Sequence, residues 1–427
     1  MQAKQLSADY WIARARDARS VLDRATISAR NDKLVALDPS VHDLEKLPAT
    51  LTAAQVRAWI TDLSTVPEAT MFDAAGHNIE RSTFDALIDN LALDKVPGSQ
   101  PTRYGLIVQR ADLRTFPSAL RAYRTADDHD IDRFQESALF PGAPVVIAHT
   151  SRDGQWCFVV SPLYAAWVEK RYIAEGRAEQ VFGYVHKTPY LVVTGATART
   201  VFTPTEPEVS ELQLDMGVRV PVLADWPPSE PVNGQHPYTG QVIELPTRAD
   251  DGTLQFAPAL LPRTADTARD YLPLSRANLL RQGFKFLGER YGWGHSYNAR
   301  DCSGFVSDVY RSLGVQLPRN TRDQSVTPAY DRITFTAADD HQRRLDVLRN
   351  LSVGDLVYIP GHVMMVIGHD KGMPYVIHDV TGISYRDGSG EVKRVLLNGV
   401  SVTPLTPLML SRGPLVDQIT SILRVRP

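Results

Sequence analysis

Tyr291-Gly-Trp-Gly-His-Ser-Tyr-Asn-Ala-Arg-Asp-Cys-Ser-Gly-Phe305 places a cysteine where a glycine-containing loop becomes a helix. From there Cys302, Phe305, Val306, Val309, Tyr310 and Leu313 recur at i, i+3, i+4, i+7, i+8 and i+11, the stripe of an amphipathic helix packed on a core, which Gly314 ends. A thiol in the first helical turn sits at the positive end of the macrodipole beside unpaired N–H groups. That setting lowers its pKa and favours the nucleophilic thiolate.

Upstream, Ser275 caps a helix on which Ala277, Leu280, Phe284, Leu287 and Tyr291 form one face, delivering Tyr291 to the Cys302 loop. Downstream, a long polar connection leads to strand-like runs at 355–360, 362–368, 375–378 and 399–402, so helices precede an antiparallel sheet. His362 opens one strand and shares a face with Met364 and Val366, while Val363, Met365 and Ile367 take the other. A hairpin through His369-Asp-Lys-Gly-Met-Pro lays 375–378 against that strand, so His378 can meet His362 across the pair.

Cys302, His362 and His378 then read as nucleophile, base and orienter, with His369 and Asp379 in reserve. Taken one at a time, a cysteine opening a helix and a histidine on an apolar strand are ordinarily packing residues. A zinc site from Cys302, His295, His362 and His378 is a weaker alternative, because no C-x-x-C or H-E-x-x-H spacing supports it; no metal and no cofactor are expected. Cys157, in a short β-prone run, reads as a buried unreactive thiol, and both cysteines are expected to be free.

The chain has 427 residues, too many for one ordinary core, and 43% hydrophobic content fills several. With 46 Lys and Arg against 49 Asp and Glu and no long run of either sign, a nucleic-acid or anionic-membrane partner has no electrostatic support. No segment has the length of a membrane span, and the start lacks the apolar stretch of a signal peptide.

Residues 1–100 read as helical. Thr52-Ala-Ala-Gln55 is a capping box under a Leu51–Val56 staple, and a second helix starts at Ser82-Thr-Phe-Asp85. His42 and His77 are expected at the surface. From Tyr104 the texture changes to short β-like runs, read as two consecutive small barrels with a hairpin turn at Asp251-Gly252. Pro258 to Pro273 reads as a linker.

Tyr291-Gly-Trp-Gly, Asp301-Cys302-Ser303-Gly304-Phe305, Leu317-Pro-Arg-Asn320, Gly354-Asp355-Leu356 and Gly361-His362-Val363 together resemble the NlpC-type, papain-like cysteine peptidases of bacterial cell walls. The segments at 103–117, 155–156 and 164–168 resemble members with a helical N-terminal region and two SH3-like barrels. The implied fold is α+β and multidomain: a helical region at 1–100, barrels at 101–178 and 179–262, and a papain-like α+β peptidase domain at 274–427.

The resemblance implies cleavage of the γ-D-glutamyl–diamino acid bond of peptidoglycan stem peptides or muropeptides. Cys302 is then the nucleophile, His362 the base, His378 the third polar residue and Tyr291 an oxyanion donor. His378 follows His362 at a longer interval than such enzymes usually show. In relatives of this architecture the first barrel narrows the cleft and limits access to peptides with a free N-terminal L-alanine, for which Asp301 and Ser303 match the binding positions. Tyr164 is the barrel residue expected to close that pocket. Asn320-Thr321 stands where some strict relatives have Asp, which loosens the selectivity for an amine. A broader wall hydrolase and a non-catalytic wall-binding protein are the rival readings. A monomer is expected; the substrate class implies the cell envelope, periplasmic or extracellular, with any signal peptide already removed, and a cytoplasmic recycling role stays open.

Overall fold

Seven antiparallel strands form the first sheet of the computed structural model, which describes residues 2–15 and 20–426. Their order is Ile173–Gly176, Arg103–Ile107, Pro144–Thr150, Trp156–Val160, Ala165–Glu169, Ala111–Arg114, Gln135–Leu139. One apolar cluster fills its interior through Ile107, Leu113, Val145, Ile147, Val159 and Val168. A second cluster joins Phe134, Val146, Phe158 and Trp167 to Leu51 and to Val56, Ile60, Phe84 and Leu87 from the two preceding helices, Ala53–Leu63 and Arg81–Asn90.

The helical starts differ in detail from expectation. Thr52 accepts from Gln55 N at 3.3 Å, whereas the second helix begins at Arg81 with Glu80 ahead of it and no side-chain cap. His77 is exposed, but His42 is half-buried at 6.4 Å from the Trp59 ring, and burial pushes its pKa down.

After the helix Ala178–Val185, the second β region is built from Tyr190–Val193 between Arg219–Pro221 and Thr267–Ala268, the pair Thr197–Arg199 with Gln213–Asp215, and the long hairpin Gly240–Arg248 with Leu254–Pro262. The stretch expected as a linker is thus partly strand. Pro258 and Pro262 lie in a two-stranded ribbon, where a residue without an N–H is tolerated.

The C-terminal sheet is antiparallel and runs Asp331–Thr334, Ser421–Arg424, Leu356–Ile359, His362–Asp370, Met373–Arg386, Leu408–Leu410, Gly413–Pro414, with Val392–Pro404 also paired to Met373–Arg386. Strand alternation separates two cores: Val363, Met365, Ile367 and Ile377 face the Cys302 helix, while Met364, Val366 and Val376 face Phe335, Leu348 and Leu415. The helix Arg276–Phe284 is capped by Ser275, which accepts from Asn278 N, but it stops short of Leu287 and Tyr291. Those two residues keep the apolar spacing from an irregular segment held to the sheet by Gly288 N to Val400 O and Tyr291 N to Asn398 O. The polar connection holds two helices unread in the sequence, Thr321–Val326 and His341–Leu348.

The first hundred residues do not pack as one unit. Trp11, Leu22, Ile27, Leu34 and Val41 enter the core beneath the Cys302 helix, whereas Leu44 onward packs on the first barrel. Trp11 is 1% exposed, 5.1 Å from the Tyr375 ring, and donates Nε1–H to Gln5 O. Among the described residues no helix is long and apolar enough to cross a membrane.

Candidate active site

The Cys302 helix, Cys302–Arg311, is entered through a loop with a left-handed backbone: Gly294 has φ +55°, His295 +64°, Tyr297 +60° and Asn298 +57°. For the three non-glycine residues this costs roughly 1 to 2 kcal/mol each. The first barrel helps to hold it. Gln135 donates to Gly294 O at 2.9 Å, and Trp293 Nε1–H donates to Gln135 O at 3.0 Å.

Asp301 then caps the helix by accepting from Gly304 N at 2.8 Å, and its other oxygen accepts from Gly294 N at 3.0 Å. Next to it lies a residue the sequence reading passed over. Arg319 is buried and donates to both Asp301 oxygens, to Ser303 Oγ at 2.8 Å, to His295 Nδ1 at 2.9 Å and to Ser137 Oγ of the first barrel at 2.6 Å. Asp301 and Ser303 are therefore engaged with each other and with a cation. His295 is buried and held neutral by burial and by Arg319. Its ring atom would lie 2.6 Å from a Cβ on Gly304, so only glycine fits there.

Cys302 is 6% exposed. Burial, with the carboxyl groups of Asp301 and Asp379 nearby, pushes its thiol up to about 12, against a hydrogen bond from Val363 N–H that pulls the other way. The low-pKa thiolate expected from the helix terminus is corrected: desolvation and a carboxylate at the cap outweigh the backbone dipoles.

The strand pairing places Met365 opposite Ile377, which sets His378 diagonal to His362 on one face. His362 Nε2 lies 2.8 Å from His378 Nδ1, and His378 Nε2 lies 3.0 Å from Thr403 Oγ1. Burial pushes His362 down to about 4 and His378 well below the usual histidine range. With both rings neutral the chain can run in either direction; in one of the two, His362 Nε2–H donates to His378 Nδ1 and His378 Nε2–H donates to Thr403 Oγ1. In that arrangement the lone pair on His362 Nδ1 is left outside the chain. A histidine pair arranged in this way can take up a proton and return it.

Tyr291 is 8% exposed, and burial plus the neighbouring Cys302, Asp301 and Asp379 raise its hydroxyl, so it stays a donor. From the first barrel, Tyr164 donates to Glu136 Oε2 at 2.6 Å, with Arg319 and Asn320 beside it. Glu136 also accepts from Thr115 Oγ1 at 2.5 Å, and no cation pairs with it among the described residues. Asn320 and Thr321 are half-buried at the start of Thr321–Val326. Of the reserve candidates, His369 points to Leu348 O, away from the pair. Asp379 is fully buried with neither oxygen hydrogen-bonded, and its carboxyl is raised to about 9, chiefly by burial. Glu136, Arg319 and Thr403 were missed; only Arg319 had a signal, in the Pro-Arg pair read for the Asn after it.

Residues 288–396 match the NlpC/P60 family and residues 120–169 match an SH3 domain of the SH3b1 type. The chain is 29% identical over 219 residues to a gamma-D-glutamyl-L-lysine dipeptidyl-peptidase of Bacillus cereus, covering 50% of this chain and 52% of the relative, so it spans about half the length of that curated relative. An NlpC/P60 endopeptidase from Photobacterium damselae subsp. piscicida superposes with a TM-score of 0.75 at 16% identity, over 99% of this chain and 95% of its own. An NlpC/P60 family protein from Bacillus cereus superposes with a TM-score of 0.50 at 18% identity, over 76% of this chain and 100% of its own. At such identities the likeness is one of fold. The chain is a multidomain α+β protein that carries an NlpC/P60 domain and an SH3b domain.

Proposed function

We propose that this protein is a cysteine peptidase hydrolysing the γ-D-glutamyl–diamino acid bond of peptidoglycan stem peptides in the cell envelope. Two observations carry the reading: the Cys302 sulfur accepts from Val363 N–H, one position along the strand from His362, and His362 is joined through His378 to Thr403. The name of the Bacillus cereus relative supports the choice of bond.

Because thiol and imidazole both rest neutral, attack and proton transfer go together. His362 Nδ1 takes the thiol proton as sulfur adds to the D-glutamyl γ-carbonyl. The imidazolium so formed is stabilised by His378 and protonates the departing diamino-acid amine. A water activated by His362 then hydrolyses the thioester. Tyr291 and N–H groups at the helix start hold the oxyanion; losing one such donor costs on the order of a hundredfold in rate or more.

Selection of a free L-alanine amine needs an unneutralised carboxylate in dry surroundings. Asp301 already shares its charge with Arg319, so Glu136, backed by Tyr164, is the carboxylate assigned to the ammonium, with Asn320 and Thr321 completing that end of the cleft. Mass spectrometry of products from L-Ala-γ-D-Glu-diaminopimelate and its N-acetylated form tests this. Cleavage of the free peptide alone supports the assignment. Equal cleavage of both supports a broad wall hydrolase, and retention on insoluble peptidoglycan with no product from either ends the catalytic reading.

A further inference from the structure

The left-handed loop before Cys302 is held by a cation from another part of the molecule. Arg110, between two strands of the first sheet, donates through Nη2 to His295 O at 2.8 Å and to Ala299 O at 3.0 Å, and through Nη1 to Asn298 Oδ1 at 3.2 Å. One guanidinium therefore spans the loop from 295 to 299. Its Nε lies 3.5 Å from Oδ2 of Asp215, in the second β region, and Oδ1 of Asp215 accepts from Arg300 at 2.6 Å. Arg300, wholly buried, goes on to Asp308 in the Cys302 helix at 2.9 Å and to Glu289 at 3.0 Å. Arg311 completes the set on Asp308 at 2.7 Å, and Gln213 donates to Asn298 O at 3.2 Å. Three arginines thus meet three carboxylates.

The hydrogen bonds from Arg110 land only on the loop, and the loop orients Asp301 through Gly294 N–H and packs His295 on Gly304. We propose that Arg110 is a positioning residue: with Asp215 and Arg300 it lets the two β regions hold the 293–299 loop in the shape that presents Cys302. The β regions are then structural parts of the active site. This inference rests on Cys302 being the nucleophile.

The test uses the full chain with Arg110→Ala, Arg110→Lys and Asn298→Gly. Two readouts are taken: kcat and KM on the free stem peptide, and the rate of Cys302 alkylation by iodoacetamide against pH, with circular dichroism and the thermal midpoint as controls. Expected for Arg110→Ala is a fall in kcat of about tenfold to a hundredfold with KM little changed, and an altered alkylation profile in a folded protein. Lysine does not restore the rate, because an ammonium cannot span three acceptors, while added guanidinium restores part of it in the alanine variant only. Asn298→Gly cuts one end of the clamp without removing a buried cation, so it gives a smaller fall in the same direction even if Arg110→Ala fails to fold. Wild-type kcat and alkylation profile in a folded Arg110→Ala or Asn298→Gly overturn the proposal. If the wild type cleaves no stem peptide, the catalytic reading fails on its own, and the alkylation profiles still decide whether Arg110 shapes the Cys302 loop.

Discussion

The molecule holds two cysteines, one in a strand and one opening a helix, and their surroundings differ less than their proposed roles. Cys157 lies in a strand of the first barrel, 2% exposed, its thiol raised by burial and 3.9 Å from Thr150 Oγ1. Cys302 is nearly as buried, its thiol is also raised, and neither forms a disulfide. What separates them is the neighbour. Cys302 sits against Val363, next in the chain to a histidine already oriented by a second one, while Cys157 sits among Ile147, Val159 and Val168. A thiol at such depth becomes reactive through a base that takes its proton during attack.

The contrast breaks most visibly under paired substitution. Cys302→Ala should lower turnover by a factor on the order of 10⁴ or more in a folded protein, and Cys157→Ala should leave turnover intact; a peptidase assay showing the reverse would undo the assignment. His362→Ala should cost about 10³-fold in kcat at neutral pH, a loss that vanishes if the thiol is activated without a base. Native-state alkylation should label Cys302 and spare Cys157 until the first barrel unfolds.

Acid sharpens the comparison further. His362 has its folded pKa near 4, below the ordinary value of about 6.5. The unfolded chain therefore binds the proton first. This contribution to stability is complete above the ordinary value and is lost as pH falls toward 4, to a total of roughly 3 kcal/mol. Denaturant midpoints at pH 7 and 4.5 should show the loss, and His362→Gln should flatten it. An effect of opposite sign concerns Asp379. Its carboxyl is raised to about 9, so the folded state retains a proton that the unfolded state gives up, and stability declines as pH rises from the ordinary carboxylate range toward 9. Asp379→Asn should raise the thermal midpoint by a few degrees, more at pH 8 than at pH 5. An equal shift at both would show that the carboxyl is ordinary.

The meeting of His362 and His378 was legible because strand alternation and one hairpin bring them together locally, and the helix start at Cys302 because its apolar stripe is local too. The turn at Lys371-Gly372 accommodates the long interval between the histidines, and the pair still meets at 2.8 Å. The charged partners were not legible. Arg319 reaches Ser137 across 182 positions and Arg110 reaches His295 across 185, distances over which periodicity carries no signal. The apolar spacing through Leu287 and Tyr291 misled about the helix, since burial selects the same residue types in an irregular segment anchored to a strand. The helical character of the first hundred residues was readable, but not their division between two cores, because an amphipathic stripe says that a face is covered and not by what.

The seat of Trp11 bears on how the molecule is made. Trp11 and Tyr375 touch although 364 positions (375 − 11) separate them, and the cluster they belong to closes with Val425. On a ribosome adding about 5 to 20 residues per second, the opening segment waits on the order of 20 to 80 s for the strand it must meet. During that interval Trp11, Ile27 and Leu34 lack the strands that cover them, so the C-terminal sheet closes a core that the N-terminal segment opens.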